Sequence, residues 1–164
     1  MIVVSNSSPL VILAKLDCFE LLNRLFAILY IPRSVHHEVV VRGAGLPGAA
    51  EVAESKWIQV KPLRNPATLV QAQNKYALGE GELSAIVLAQ EIHASLVLLD
   101  DSNARKLATM QGLQVRGSVG LLEAFYLRGY LVDLRAAYRQ LQLHSYIDQR
   151  LLDARLNSLG LPAL

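Results

Sequence analysis

The stretch GEGELSAIVLAQEIHASLVLLDDSNARKLATMQG, residues 79–112, most constrains the fold. Leu83, Ile86, Val87 and Leu88, with alanines between them, describe a helix that is apolar nearly all round and therefore packed on more than one side. SLVLL (95–99) is a continuous apolar run of the kind found in strands covered on both faces. A second helical segment follows and stops at Gly112. A strand enclosed by helices belongs in a parallel sheet, because parallel neighbours need a crossover between them.

The same alternation runs through the whole chain. IVVS, AILYI, WIQVK and LQVRG read as further strands. SPLVILAKL, DCFELLNRLF, AAEVAES, ATLVQAQNKYA and SVGLLEAFYLRG read as helices, with Ser8 an expected N-cap and Pro9 at the first helical position. PRSVHHEVVV fits either a helix or a strand. The C-terminal LVDLRAAYRQLQLHSYIDQRLLDARL carries Leu and Tyr at helical spacing. The expected architecture is α/β with a central parallel sheet flanked by helices. It forms a single domain over 1–164, whose C-terminal helices, about 131–158, pack on it or on a partner.

Composition narrows the class. Apolar residues make up 52% and charged residues 18%, so much apolar surface must enter a core or an interface. That excess suggests a self-association or partner-binding face, such as a homodimer would use. No apolar run approaches the ~18 residues that span a bilayer. Met1-Ile2-Val3 carries no basic leader, and the lone Cys18 excludes an internal disulfide. A cytoplasmic protein without membrane contact is expected. Net charge is only +2, but acids are scarce before Glu38 while arginines gather in the C-terminal third.

In open parallel sheets, ligands bind beyond the carboxyl ends of the strands. The first strand ends at Ser5-Asn6-Ser7 and the strand SLVLL ends at Asp100-Asp101. Glu80 and Glu82 open the helix leading into that second strand. About eleven helical residues rise ~16 Å and five strand residues return ~16 Å, so Glu82 and Asp100 reach the same edge. Asp101, before SNARKLA, also suits an N-cap, and Glu80 suits a helix N-terminus through the dipole. Glu38 lies between apolar Val35 and Val39, near a buried face. Oxygen donors of this kind select a hard divalent cation such as Mg²⁺ or Mn²⁺, which activates water and stabilises phosphoryl displacement.

The stretches VSNSSPLVILAKL, IPRSVHHEVV, GEGELSAIVLAQE and LLDDSNARKLATMQGLQVRGSVGLL together resemble PIN-domain proteins, the family of VapC-type ribonucleases. The similarity runs in matching order over roughly residues 2–130 and is specific as a set. The resemblance implies a three-layer α/β/α fold and cleavage of single-stranded RNA with Mg²⁺ or Mn²⁺, with the protein acting as the toxin of a toxin–antitoxin pair. It implies metal ligands at Asn6, Glu38, Glu82 and Asp100, with Asp101 joining Glu38, Glu82 and Asp100 as a catalytic acid. Ser7 and Ser8 take the supporting hydroxyl position. The first of these positions departs from the family, being an amide where the pattern has a carboxylate. Weaker metal binding and slower turnover are therefore expected. The alternative is a PIN-like module that has lost catalysis and binds RNA or protein.

Other motifs carry less. GAGLPG (43–48) matches G-x-G-x-x-G, but no acid follows at the distance a dinucleotide site requires. His36-His37 lacks a third nitrogen or sulfur ligand for zinc. Cys18, His93 and His144 form no recognisable nucleophile set.

Overall fold

Five short strands form one all-parallel sheet: β1 (Val3–Ser5), β2 (Leu29–Pro32), β3 (Ile58–Lys61), β4 (Leu96–Leu98) and β5 (Val115–Arg116). The structure, a computed structural model, describes residues 1–164. Strand order is β3-β2-β1-β4-β5, so the chain winds outward from β1 on one side and then crosses back to start again at β4. β1 and β4 pair Val3 with Leu96, Val4 with Val97 and Ser5 with Leu98. Their carboxyl ends are adjacent at the point where the winding reverses, where open α/β sheets form their crevice.

Ten helices separate and follow the strands along the chain, and the fold is a three-layer α/β/α one. They are α1 (Ser7–Lys15), α2 (Phe19–Leu25), α3 (Arg33–His36), α4 (Ala49–Glu54), α5 (Pro66–Lys75), α6 (Glu80–Glu91), α7 (Ser102–Met110), α8 (Ser118–Leu127), α9 (Leu134–His144) and α10 (Gln149–Ser158). The chain divides into two compact units, Met1–Ser118 and Val119–Leu164. No helix is long and apolar enough to cross a membrane.

In the first unit, Val4, Val97 and Leu99 pack against Leu83, Ile86 and Leu88 of α6 and Leu107 of α7. Strand alternation sends Val3, Leu96 and Leu98 to the opposite face. All eight residues from Gly81 to Leu88 except Glu82 are buried, as expected for a helix apolar nearly all round.

The segment that sequence left open between helix and strand is helical but irregular. α3 runs directly into a π-helical turn, His37–Arg42, anchored by buried Val35 and Val39. The three consecutive valines, Val39 to Val41, lower the propensity for a regular helix only slightly. Gly43 is the C-cap of the π-helical turn, where a side chain would press on the backbone oxygens of Val39 and Glu38, at 2.5 and 3.1 Å. GAGLPG then forms the connection to α4, with Gly45 and Gly48 at positive φ and no strand before it.

Helix α1 starts two residues earlier than expected. Asn6 occupies the N-cap position without a side-chain cap bond, and the Ser8 hydroxyl donates elsewhere. Pro9 falls inside the first turn, where its missing N–H would be unpaired in any case.

The second unit holds most of α8 together with α9 and α10, with Leu122, Phe125, Tyr138, Leu141, Leu152 and Leu156 fully buried. Asp133 caps α9 through the Ala136 N–H at 3.0 Å, and Asp148 caps α10 through the Arg150 N–H at 2.9 Å. Glu123 and Arg155 form an ion pair at 2.6 Å. Burial, with the Glu123 carboxylate nearby, pushes the Tyr138 phenol up to about 12.

Candidate functional site

Asn6 leaves β1 with its N–H bonded to the Leu98 carbonyl at 3.1 Å, which fixes it beside the end of β4. Its side chain is buried. Glu38 arrives from the far side of β1, at the start of the π-helical turn that follows β2 and α3. The two meet over Gly81 in the first turn of α6. A Cβ at Gly81 would lie 2.9 Å from Glu38 Oε2 and 3.1 Å from Asn6 Oδ1. Two oxygens therefore share the space that a side chain at position 81 would fill. Only glycine leaves that cradle open.

The remaining acids sit around this pair, each held differently. Asp100, half-buried past the end of β4, accepts three hydrogen bonds: from Ser8 Oγ at 3.0 Å, and from the Ser118 N–H and Oγ, both at 2.7 Å. A carboxylate offers about four lone-pair sites, so most of its capacity is taken and its orientation is fixed. These bonds offset the cost of placing a charge at a partly buried strand end. Glu82 turns back over Gly79, with a carboxylate oxygen against the place where a Gly79 Cβ would stand. That puts its charge at the positive end of α6. Glu80 is exposed in the same turn. Asp101 is exposed and caps α7, accepting the Ala104 N–H at 2.8 Å.

Of the four positions that the resemblance marks as ligands, the structure brings Asn6 and Glu38 together. Glu82 and Asp100 occupy neighbouring stations at the same edge. No three His, Cys, Asp or Glu side chains converge tightly enough to hold a metal ion. Of the supporting serines, Ser8 binds Asp100, whereas the Ser7 hydroxyl is buried without a hydrogen-bond partner.

An amide oxygen and a carboxylate oxygen facing one cradle are hard donors suited to Mg²⁺ or Mn²⁺. Mg²⁺ commonly takes one or two carboxylates and completes its shell with water and substrate phosphate. The pair fits that pattern.

Several contributors were not assigned from sequence. Gly81 is visible within GEGE, but nothing in the motif says which glycine faces the oxygens. Ser118 follows Gly117 at the end of the last strand, a junction that signals a helix start but not a bond to Asp100. Arg105 donates from Nη1 to the Leu99 carbonyl at 3.1 Å and reaches the edge from α7.

The chain matches a family model described as DUF3368, PIN domain, over residues 2–160. None of the curated proteins matches it in sequence. Among solved structures it is similar to a PilT N-terminus domain protein from the hyperthermophilic archaeon Sulfolobus solfataricus P2. The two share 17% identity at a TM-score of 0.51, over 76% of this chain and 92% of that one. That likeness concerns the fold.

Proposed function

Because the chain belongs to the PIN-domain family, a nuclease fold, we propose that it is a metal-dependent endoribonuclease. In this reading it hydrolyses phosphodiester bonds of single-stranded RNA and serves as the toxin of a toxin–antitoxin pair. The observation that carries the reading is the meeting of Asn6 Oδ1 and Glu38 Oε2 over the bare Cα of Gly81. Asn6 and Glu38 would hold Mg²⁺ or Mn²⁺. When bound, such an ion supplies an activated water and charge stabilisation for an in-line phosphoryl displacement.

The chain's own residues do the rest. Glu38 supplies the negative charge of the pair, whereas Asn6 supplies an oxygen but no charge and cannot accept a proton as a base. Asp100, clamped by Ser8 and Ser118, keeps a fixed negative charge beside the pair and orders water at the strand end. Glu82 lies one residue beyond the cradle and can swing from Gly79 toward it. Asp101 holds the first turn of α7 and so the position of the β4 end. With one carboxylate in the pair rather than two, affinity for the ion and turnover are both lowered, which suits a nuclease of low basal activity.

The decisive experiment is cleavage of a panel of single-stranded RNAs with Mg²⁺ or Mn²⁺, comparing the natural chain with Glu38→Gln. Glu38 is exposed and its carboxylate forms no hydrogen bond, so the isosteric change is expected to leave the fold intact. Loss of at least ten-fold in cleavage supports the reading, and unchanged cleavage overturns it. RNA binding without cleavage by the natural chain would place it among the PIN-like binding modules instead. Self-association and antitoxin capture belong to the same proposal, supported by the exposed apolar side chains Leu143, Tyr146 and Leu151 in the second unit.

A further inference from the structure

Arg105 sits in the first turn of α7 and takes no part in the Asn6–Glu38 pair. Its half-buried side chain runs back to the sheet edge, where Nη1 donates to the carbonyl of Leu99 at 3.1 Å. A Cβ at Gly117 would collide with that same Nη1 and would lie 3.0 Å from Asp100 Oδ1. The guanidinium, the last carbonyl before Asp100 and the Asp100 carboxylate thus converge over a second glycine. Arg105 nevertheless forms no ion pair within 4.0 Å.

A guanidinium carries five N–H donors in a rigid fork and stays charged at every working pH. One donor is committed to Leu99, so the side chain is oriented while the others remain for an external acceptor. The position is otherwise hostile to a polyanion, since Asp100 and Asp101 flank it. A cation fixed there and in direct contact with neither acid keeps donors free for a ligand that brings its own negative charge. Phosphate matches the fork in geometry and sign.

We propose that Arg105 is the phosphate anchor of the RNA strand, gripping a backbone phosphate next to the one that is cleaved, with Gly117 kept small to make room for the guanidinium. This rests on the nuclease reading and adds a substrate-positioning residue to it. Holding one phosphate by a preorganised fork sets the register of its neighbour at the cradle without contacting any base.

The test is binding of a fluorescein-labelled single-stranded RNA by anisotropy over a range of salt concentrations. Ca²⁺ replaces the activating ion, and a gel checks that the RNA remains intact. Arg105→Gln loses the charge and, being two atoms shorter, the bond to the Leu99 carbonyl. Binding is expected to weaken about ten-fold, and the slope of log affinity against log salt to shrink by ~0.7, the share of one phosphate on a single strand. Arg105→Lys restores the slope but not the full affinity, because the fork is gone. Gly117→Ala, which displaces the guanidinium without removing it, also weakens binding. Lys15→Gln, at the far end of α1, leaves affinity unchanged. Wild-type affinity and slope in both Arg105→Gln and Gly117→Ala would overturn the anchor, while cleavage by the natural chain would keep the nuclease reading standing. A natural chain that neither binds nor cleaves single-stranded RNA would overturn both.

Discussion

At the scale of single residues, the site depends on an absent side chain as much as on present ones. Alanine normally favours a helix over glycine by ~1 kcal/mol, yet at position 81 the added methyl must push aside Glu38 Oε2 and Asn6 Oδ1. Gly81→Ala is therefore expected to melt within a few degrees of the natural chain while Mn²⁺ affinity, by calorimetry, falls at least ten-fold. Asn6→Asp tests the same pair from the other direction. A second carboxylate beside Glu38 repels it when no ion is bound, by up to ~4 kcal/mol for unit charges ~4 Å apart at an effective dielectric near 20. The variant should melt lower than the natural chain in EDTA, regain that loss with Mn²⁺, and bind Mn²⁺ at least ten-fold more tightly. Equal melting of the two chains in EDTA and in Mn²⁺ would contradict this. Asn6, Glu82 and Asp100 were legible because each closes an apolar run or opens a helix, whereas Glu38 joined them only through the family resemblance. Their mutual distances were not legible. Those depend on rotamers, which is why Glu82 faces Gly79 and why Asp100 is engaged by two serines.

At the scale of elements, periodicity revealed what packing enforces. The helix over 80–91 and the strand after it follow from unbroken apolar runs, and α7 starts where Asp101 can cap it. Replacing that cap by alanine, Asp101→Ala, is expected to cost about 1 kcal/mol of stability in denaturant unfolding. Cleavage should remain within a few-fold of the natural chain, because the Asp101 carboxylate is committed to the Ala104 N–H. A loss of cleavage comparable to that in Glu38→Gln would instead give Asp101 a direct part in the reaction. The π-helical turn carrying Glu38 could not be read in advance. Its pitch differs from an ordinary helix by less than the apolar pattern of VHHEVVV resolves, and the valines favour strand as readily as helix. Only Gly43, pressed against the turn's own carbonyls, left a trace of it in the sequence.

At the scale of the whole molecule, parallel strands were legible because helices separate them, whereas the order β3-β2-β1-β4-β5 was not. Order depends on which edge each crossover returns to, and no single segment encodes that. The second unit provides a probe of its own. Because the Tyr138 phenol is raised to about 12 in the folded chain, its contribution to stability is complete below its ordinary value near 10 and is lost as pH rises from there to about 12. Denaturant unfolding across that interval should fall more steeply for the natural chain than for Tyr138→Phe, and equal slopes would show that Tyr138 ionises as freely as in the unfolded chain. Light scattering at micromolar concentration is expected to give the mass of a dimer, and a monomer would remove self-association from the proposal. The serine contacts of Asp100 have a bearing on how the polypeptide can be divided. Ser118 belongs to the sheet-bearing unit, yet it is the opening residue of the helix that carries the chain into the other. A fragment severed after Gly117 would strip the strand-end acid of two of its three donors. The natural seam for dissecting this polypeptide therefore falls on the C-terminal side of that serine.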